Sequence, residues 1–252
     1  MITRGLRKLG LALLAAILLL VAPPALAGET QVAVAANFTE PARQIAAAFK
    51  AATGHTAVLS FGSSGQIYAQ LAHGAPYEVF LSADADRPAA AEREGLGVPG
   101  TRFTYAVGRL VLFSKTPGLV DPAGAVLARG RFDKLAIADP AAAPYGSAAI
   151  QTLKKLGLYD RVKPRIVQGA SIGQAYQFVQ SGAAELGFVA LSQVIEEPGG
   201  SRWLVPTADH APIEQQAILL YAGDRSPAAR AFLKFLRSPA ALAIIKRYGY
   251  GA

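Results

Sequence analysis

The sequence predicts an α/β protein of two lobes, each a mostly parallel sheet flanked by helices. Apolar runs with the period of a strand alternate with runs of helical period, and this alternation occurs in two successive series. Strands that alternate with helices pair in parallel and carry helices on both faces of the sheet. We therefore expect one lobe from residues 28–107 plus 221–252 and a second lobe from residues 108–220.

The first 27 residues predict a signal peptide that is not part of the fold. Basic residues within positions 4–8 precede an almost unbroken apolar run at 9–21, and Ala25–Ala27 forms a small-residue cleavage site. An anchoring transmembrane helix is the alternative, but the apolar run is short for a span and two prolines follow it. We expect an exported mature chain that starts at Gly28.

The first series of elements opens the mature chain. Its strands and helices are predicted in the order Gln31–Ala35, Thr39–Ala52, Ala57–Phe61, a short helix through Ile67 and Leu71, Glu78–Ser82 and Arg87–Glu94. Asn37 has the chemistry of an N-cap for the first helix, Glu40 completes a capping-box pair with it, and Gly54 is placed to be the C-cap. This β-α-β-α-β order predicts a parallel sheet covered by helices.

The second series repeats this order and ends in two helices. Its elements are predicted as a strand at Arg109–Phe113, a loop or short helix at Asp121–Arg129, then Leu135–Ala138, Ser147–Leu156, Arg165–Val167, Ile172–Gln180, Leu186–Ala190 and Ala217–Tyr221. Strands near 104–113 and 215–223 are candidates for the crossings between lobes. Two helices opened by Ser-Pro follow, and Tyr248–Tyr250 is expected to pack this end onto the first lobe.

Composition excludes several classes of chemistry. Three of the 25 basic residues precede Gly28, so the mature chain carries 22 basic against 17 acidic residues, a net charge of +5. The basic residues are scattered, which predicts mild attraction of anions and no nucleic-acid partner. The absence of cysteine excludes disulfides and thiolate chemistry. Asp84 and Asp139 follow strands without neighbouring ligands, so we expect structural hydrogen bonds there and no site for a metal cation.

Four turns of small or amide residues stand between a strand and a helix. They are Ala36–Phe38, Phe61–Gly65, Pro144–Ser147 and Gly169–Gly173. The first N–H groups of each following helix lack an intrahelical partner, and the helix dipole favours negative charge there. None of the turns contains a charged residue or histidine. Because ligands in such sheets bind beyond the carboxyl ends of the strands, we expect an anion held by neutral donors in the cleft between the lobes.

Several short motifs resemble the periplasmic molybdate-binding proteins of bacterial molybdate ABC transporters. The stretches that carry the resemblance are Val34–Phe38, Phe61–Gly65, Gly74–Pro76 with Phe80–Asp84, Ala138–Pro140 with Pro144–Gly146, Leu186–Ala190 and Lys246–Tyr250. They occur in the family's order along the whole mature chain. The resemblance implies a two-lobed type II periplasmic binding protein, not an enzyme and without a cofactor. It would bind molybdate or tungstate and deliver it to a membrane permease; we expect a monomer.

Carried over residue by residue, the resemblance implies four ligand contacts. They are Asn37, Ser64, Tyr145 and Ile172, the last through its main-chain N–H. Candidates for secondary contacts are Ala36, Ser63, Ser171 and Ala190. Many family members have Ser at the position of Asn37 and Ala at that of Tyr145, and a ligand-binding family tyrosine maps near Ala190. We hypothesise that Tyr145, expected in a turn outside the core, supplies that missing hydroxyl.

Each of these assignments has an alternative in which the residue or the protein does not bind an anion. Asn37 and Ser171 also fit as N-caps, and Ser63 or Ser64 fits as the cap of the helix that follows them. A hydrolase built on either serine is disfavoured, because Gly62–Gln66 lacks the Gly-x-Ser-x-Gly spacing of a nucleophile elbow. A transcription regulator is disfavoured by the predicted signal peptide and the absence of DNA-binding helices.

The neutral turns also bear on which anion binds. A deprotonated tetrahedral dianion has only acceptor atoms, so a cleft that offers only donors satisfies it. The O–H of a protonated phosphate would lack an acceptor there, at a cost of about 1–3 kcal/mol. Sulfate has the same charge and shape as molybdate, so a sulfate- or other tetrahedral oxyanion-binding protein of the same fold remains the nearest alternative.

Overall fold

Two five-stranded sheets form the framework of residues 27–251, the part of the chain that the computed structural model describes. The predicted signal peptide at 1–27 lies outside the described residues except for Ala27. Within the described part, no helix has the length and apolar character needed to span a membrane.

The elements follow the predicted alternation of strands and helices. The strands are β1 (Glu29–Ala35), β2 (Thr56–Gly62), β3 (Val79–Leu81), β4 (Phe103–Gly108), β5 (Leu110–Ser114), β6 (Leu135–Ala138), β7 (Ile166–Gly169), β8 (Leu186–Ala190), β9 (Ser201–Leu204) and β10 (Ile213–Leu219). The helices are α1 (Thr39–Thr53), α2 (Ser64–Ala72), α3 (Asp86–Arg93), α4 (Val126–Arg129), α5 (Pro144–Lys155), α6 (Tyr159–Val162), α7 (Ile172–Gln180), α8 (Leu191–Val194), α9 (Pro227–Phe235) and α10 (Pro239–Arg247). The short elements β9, α6 and α8 are additions to the predicted set, and the region near 104–113 forms two strands, β4 and β5, where one strand at Arg109–Phe113 was predicted.

Both sheets are mostly parallel, as predicted. The first has the order β2-β1-β3-β10-β4 and the second the order β7-β6-β8-β5-β9. In the first, β1 pairs in parallel with β2 and β3, and β10 runs antiparallel to both of its neighbours. In the second, β6 pairs in parallel with β7 and β8, and β5 is the reversed strand. Each sheet is therefore four strands in one direction and one in the other.

Burial of both faces explains the apolar run of β1. Val32 and Val34 pack on one face of the sheet with Phe38, whereas Ala33 packs on the opposite face with Ile67. Successive side chains of a strand point to opposite faces, so a strand covered on both sides reads as a continuous apolar run.

The C-terminal helices return to the first lobe, as predicted. Ser226 and Ser238 cap α9 and α10 by accepting from main-chain N–H groups, and a proline occupies the start of each helix. Side chains of both helices share one buried cluster with β1 and α1, and Tyr248 and Tyr250 belong to that cluster. The chain end also forms a main-chain bridge from Gly251 to β4.

The pairing of β10 corrects the predicted lobe boundary. The boundary after residue 220 assigns this strand to the second lobe, but β10 pairs with β3 and β4 in the first sheet. The sheets are therefore joined at Arg109, between β4 and β5, and at 205–212, between β9 and β10. The strand was predicted to begin at Ala217, whereas β10 begins at Ile213. Gln215 and Gln216, which flank a β-bulge, are polar and interrupt the apolar pattern on which the prediction depends.

Two helix starts also differ from the prediction. Ala36–Phe38 forms a 3-10 turn, and α1 begins after it at Thr39 without a side-chain cap, so Asn37 is not its N-cap and forms no capping box with Glu40. Helix α5 begins at Pro144, earlier than predicted, because proline is favoured at the first helical position. The predicted C-cap is confirmed: Gly54 has a φ of 76° and donates its N–H to Lys50 O at 2.9 Å.

Candidate functional site

A small cavity lies between the two sheets. The volume that the centre of a water molecule can occupy within it is about 10 Å³, which is roughly enough for one water. Its lining comes from both lobes: Ala35, Ala36, Asn37, Gly62, Ser63, Ser64, Ala83, Ala143, Pro144, Tyr145 and Ile172. The structure therefore brings together the four predicted contacts and two of the secondary candidates. Ser171 and Ala190 are not among the lining residues.

The two serines of the second turn have different environments. Ser63 is the N-cap of α2, where its Oγ accepts from Gln66 N at 3.3 Å and the Gln66 side chain completes a capping box. The structural alternative is thus confirmed for Ser63. Ser64 is the first residue of α2, and its Oγ accepts from Ala83 N at 2.9 Å. Because the Ser64 hydroxyl accepts in that bond, its proton can be donated elsewhere.

The Asn37 side chain is buried and already engaged. Its Nδ2 donates to Gln215 Oε1 at 2.8 Å and to the Tyr250 hydroxyl at 3.0 Å, which uses both amide hydrogens. Its Oδ1 is buried and finds no hydrogen-bond partner among residues 27–251. The group that Asn37 offers to a ligand is therefore its main-chain N–H, on the turn that precedes α1.

Tyr145 departs from the prediction that it lies in a turn outside the core. It is the second residue of α5 and only 1% of it is exposed. Its hydroxyl accepts from Gln215 Nε2 at 3.1 Å. Burial, together with the nearby Tyr250 and Tyr105 hydroxyls, raises the pKa of Tyr145 well above its usual value. The phenol consequently stays protonated and neutral, and can act as a hydrogen-bond donor.

The fourth turn contributes a main-chain group and a cap. Ile172 is the first residue of α7, so its N–H is one of those without an intrahelical partner. Ser171 is the N-cap, and its Oγ accepts from Gln174 N at 3.3 Å, which confirms the structural alternative for Ser171. Ala190 ends β8 and donates its N–H to Gln193 Oε1 at 3.0 Å.

A polar network that the sequence analysis missed lies against the cavity. This buried polar network consists of Asn37, Tyr105, Tyr145, Ser192, Gln215 and Tyr250. Gln215 is its centre, with bonds to three of the other members, and has no exposed surface. The sequence signal for it was the pair of adjacent glutamines, Gln215 and Gln216, in strand β10.

The lobes touch each other around the cavity. Gly65 N donates across the cleft to Ala142 O at 2.9 Å, and Ser192 Oγ donates to Asn37 O at 2.8 Å. A Cβ on Gly65 would lie 2.9 Å from the Ala142 Cα, so only glycine permits this approach. The lobes are thus in direct contact beside the cavity, which lies between them.

The cavity carries no formal charge. Its lining includes no Asp, Glu, Lys, Arg or His. Within residues 27–251, no three or more His, Asp or Glu side chains are grouped as they would be around a metal ion. The polar groups of the lining are therefore N–H groups at helix starts and the hydroxyls of Ser63, Ser64 and Tyr145, which are suited to an anion that only accepts hydrogen bonds.

Comparison with known proteins places the chain in a family. The profile of the bacterial extracellular solute-binding proteins matches residues 30–251. The chain belongs to this family. Among solute-binding proteins it is similar to the molybdate-binding protein ModA of Rhodobacter capsulatus, with 56% identity over 227 residues and 90% of each chain covered. ModA of Azotobacter vinelandii is 54% identical over 235 residues, which are 92% of this chain and 93% of the relative.

Solved structures of solute-binding proteins share the fold. The periplasmic molybdate-binding protein of Azotobacter vinelandii matches with a TM-score of 0.86 and 45% identity, covering 88% of this chain and 99% of the other. The sulfate-binding protein SubI of Mycobacterium tuberculosis matches with a TM-score of 0.75 over 88% of this chain and 86% of the other, at 14% identity. The second likeness shows only that the architecture is common to both.

Proposed function

We propose that this solute-binding protein binds molybdate between its lobes and delivers it to the membrane permease of an ABC transporter. One observation carries the proposal: Asn37, Ser64, Tyr145 and Ile172, which come from four separate turns, line a single uncharged cavity. Relatives that are 56% and 54% identical over nine-tenths of the chain are named as molybdate-binding proteins, which supports this choice of anion.

The donors divide into main-chain and side-chain groups. Main-chain N–H groups of all four residues lie in the first turns of helices or in the turn before one, where they have no helical partner. The hydroxyls of Ser64 and Tyr145 add two side-chain donors. Neutral donors suffice because fixed dipoles in a dry, low-dielectric cavity interact strongly with an anion.

The size of the cavity restricts the ligand. The space open to the centre of a water molecule is only about 10 Å³, roughly that of one water. A five-atom oxyanion would need a small outward movement of the lining groups, whereas a sugar, a peptide or an amino acid would need a much larger rearrangement, so the cavity favours a small inorganic oxyanion. We expect tungstate to bind as well, because it has nearly the same size and the same charge as molybdate. Sulfate and other tetrahedral oxyanions are the second candidate, as the solved sulfate-binding relative shares the fold.

Closure links binding to delivery. Asn37 and Ser64 belong to the first lobe, whereas Tyr145 and Ile172 belong to the second, so a bound anion joins the lobes. A ligand that contacts both lobes stabilises the closed form over any open one. We infer that the permease recognises the closed form. We also infer that residues 1–27 are removed and that the mature protein acts in the periplasm as a monomer. On this proposal it catalyses no reaction and carries no cofactor.

Calorimetric titration of the mature chain with molybdate tests the proposal. We expect one-to-one binding that survives excess sulfate and excess phosphate. Ser64→Ala should weaken binding about 10- to 100-fold, because a hydrogen bond to a charged group is lost. Ser226→Ala is the matched control: it removes a helix cap far from the cavity and should lower only the melting temperature.

The outcomes separate the two candidate anions. Displacement of molybdate by sulfate at equal concentration would assign the protein to the sulfate-binding class. Absence of heat with molybdate, tungstate, sulfate and phosphate would refute oxyanion binding altogether.

A further inference from the structure

Gln215 is placed to control the chemistry of the cavity without lining it. It extends from β10 of the first lobe and has no exposed surface. Its Oε1 accepts from Asn37 Nδ2 at 2.8 Å and from the Tyr105 hydroxyl at 3.0 Å. Its Nε2 donates to the hydroxyl of Tyr145, across the lobe boundary, at 3.1 Å. One carboxamide therefore connects two proposed anion contacts on opposite lobes, Asn37 and Tyr145.

The polarity of the carboxamide has a consequence for both contacts. An amide has an acceptor end and a donor end. With its acceptor end toward Asn37, Gln215 holds an amide hydrogen of that residue. With its donor end toward Tyr145, it occupies a lone pair of the phenol and leaves the phenol proton to another acceptor. In the reverse orientation, the Gln215 oxygen would accept the Tyr145 proton, and the Asn37 hydrogen that Gln215 now accepts would lose its acceptor. In either orientation, only one of the two side chains has a hydrogen left to donate to an anion.

The surrounding groups are compatible with the observed orientation. The Tyr105 hydroxyl lies 3.0 Å from the same Oε1 and 3.2 Å from Ser82 O, either of which can accept its proton, and the second Asn37 hydrogen is donated to Tyr250. Tyr250 lies beside the Tyr145 hydroxyl, and its oxygen accepts from Asn37 with one of its two lone pairs. With one lone pair of Tyr145 occupied by Gln215, the Tyr145 proton can be donated either to the Tyr250 oxygen or to an anion in the cavity.

We propose that Gln215 is a positioning residue that makes the Tyr145 hydroxyl the donor to the bound oxyanion and keeps the Asn37 side chain from that role. The inference rests on the proposed oxyanion binding and names a residue that acts through Tyr145. It also gives a physical basis for the hypothesis that Tyr145 supplies the hydroxyl missing at Ala190.

The test is a double-mutant cycle on molybdate affinity. Gln215→Glu replaces the donor end by a carboxylate oxygen, which accepts the Tyr145 proton and turns a lone pair of the phenol toward the anion. We expect Gln215→Glu to weaken molybdate binding at least 100-fold in the parent. In the Tyr145→Phe background, the fold-loss of affinity caused by Gln215→Glu should be at least tenfold smaller than in the parent, because only the effect of the added charge is left. Gln215→Met removes the amide without adding charge and should weaken binding about tenfold in the parent and less than about twofold in Tyr145→Phe.

A neighbouring glutamine provides the matched control. Gln216 is also buried in β10, but its side chain bonds Arg102 and Thr104, away from the cavity. Gln216→Met should lower the melting temperature of the ligand-free protein as Gln215→Met does, and leave the molybdate affinity within about twofold of the parent.

The results distinguish the inference from the function on which it rests. If the parent binds molybdate and the losses from Gln215→Met and Tyr145→Phe simply multiply in the double variant, Gln215 does not act through Tyr145 and the inference is overturned. If Gln215→Met binds as tightly as the parent, the inference fails as well. If the parent itself gives no heat with molybdate, it is the proposed function that fails.

Discussion

Replacement of Gly108 by alanine is the sharpest test of the packing around the cavity. Gly108 ends β4, at the crossing between the lobes. An added Cβ would fall well inside contact distance of the Tyr145 hydroxyl and lie 2.8 Å from Gln215 Nε2 and 2.9 Å from Tyr145 Cζ. Ordinary contacts of a Cβ lie at 3.4–4 Å, so Tyr145 and Gln215 must both move by about half an ångström or more, which forces side chains off their preferred rotamers.

The cost of this shift follows from overpacking and from lost hydrogen bonding. Overpacking in a tight core costs about 1–3 kcal/mol. In a protein of this size, about 2 kcal/mol corresponds to a fall of about 4–8 °C in melting temperature. Displacement of Tyr145 also removes a donor to the charged ligand, so molybdate affinity should fall about 10- to 100-fold.

The assay combines thermal denaturation of the ligand-free mature chain with calorimetric titration of molybdate. Gly199→Ala is the control, because no atom lies within 4 Å of its added Cβ; both its melting temperature and its affinity should match the parent. Tyr145→Phe in the Gly108→Ala background should recover part of the lost stability, since it removes the atom that clashes most. A Gly108→Ala protein with parental melting temperature and affinity would refute the account of this packing.

Three further predictions concern the cleft. Ser64→Ala should also lower stability by about 1 kcal/mol, because its Oγ bond to Ala83 N is lost, as thermal denaturation without ligand would show. Gly65→Ala should weaken molybdate binding, because its Cβ would lie 2.9 Å from the Ala142 Cα and hold the lobes apart; small-angle scattering should then show less compaction with ligand than in the parent. Molybdate affinity should be constant from about pH 6 to pH 9, since the lining has no carboxylate, histidine or lysine and burial keeps the pKa of Tyr145 well above this window. A titration step within that window would show that an ionising residue contacts the anion.

The sequence predicted most of the architecture because its signals are local. These signals are the spacing of apolar residues, the positions of proline and glycine, and the Ser-Pro pairs at helix starts. Each depends on residues within a turn or two of one another, as the caps at Ser226, Ser238 and Gly54 show. Strand β10 was misplaced because Gln215 and Gln216 are polar and nevertheless buried, which a hydrophobic pattern does not reveal.

The residues of the candidate site were easier to predict from the sequence than the burial and the hydrogen-bond partners of their side chains. The resemblance implied residues that the structure brings into one cavity, but it did not show that Tyr145 is a buried residue of helix α5 or that Ser63 is the N-cap of α2. A residue type indicates which hydrogen bonds are available, whereas burial and the neighbours across the lobe boundary determine which of them form.

The sequence by itself determined the alternation of strands and helices, the neutral turns at the strand ends and the absence of cysteine chemistry, because each is written in the chain or in short segments of it. The tertiary structure alone decided which sheet receives β10, how tightly the cleft closes and which atoms of Asn37 and Tyr145 are free. Those outcomes depend on pairs such as Asn37 with Gln215 and Gln215 with Tyr145, which lie 178 and 70 residues apart in the chain. No local pattern encodes a hydrogen bond over that separation, because only the packed fold brings its two partners together.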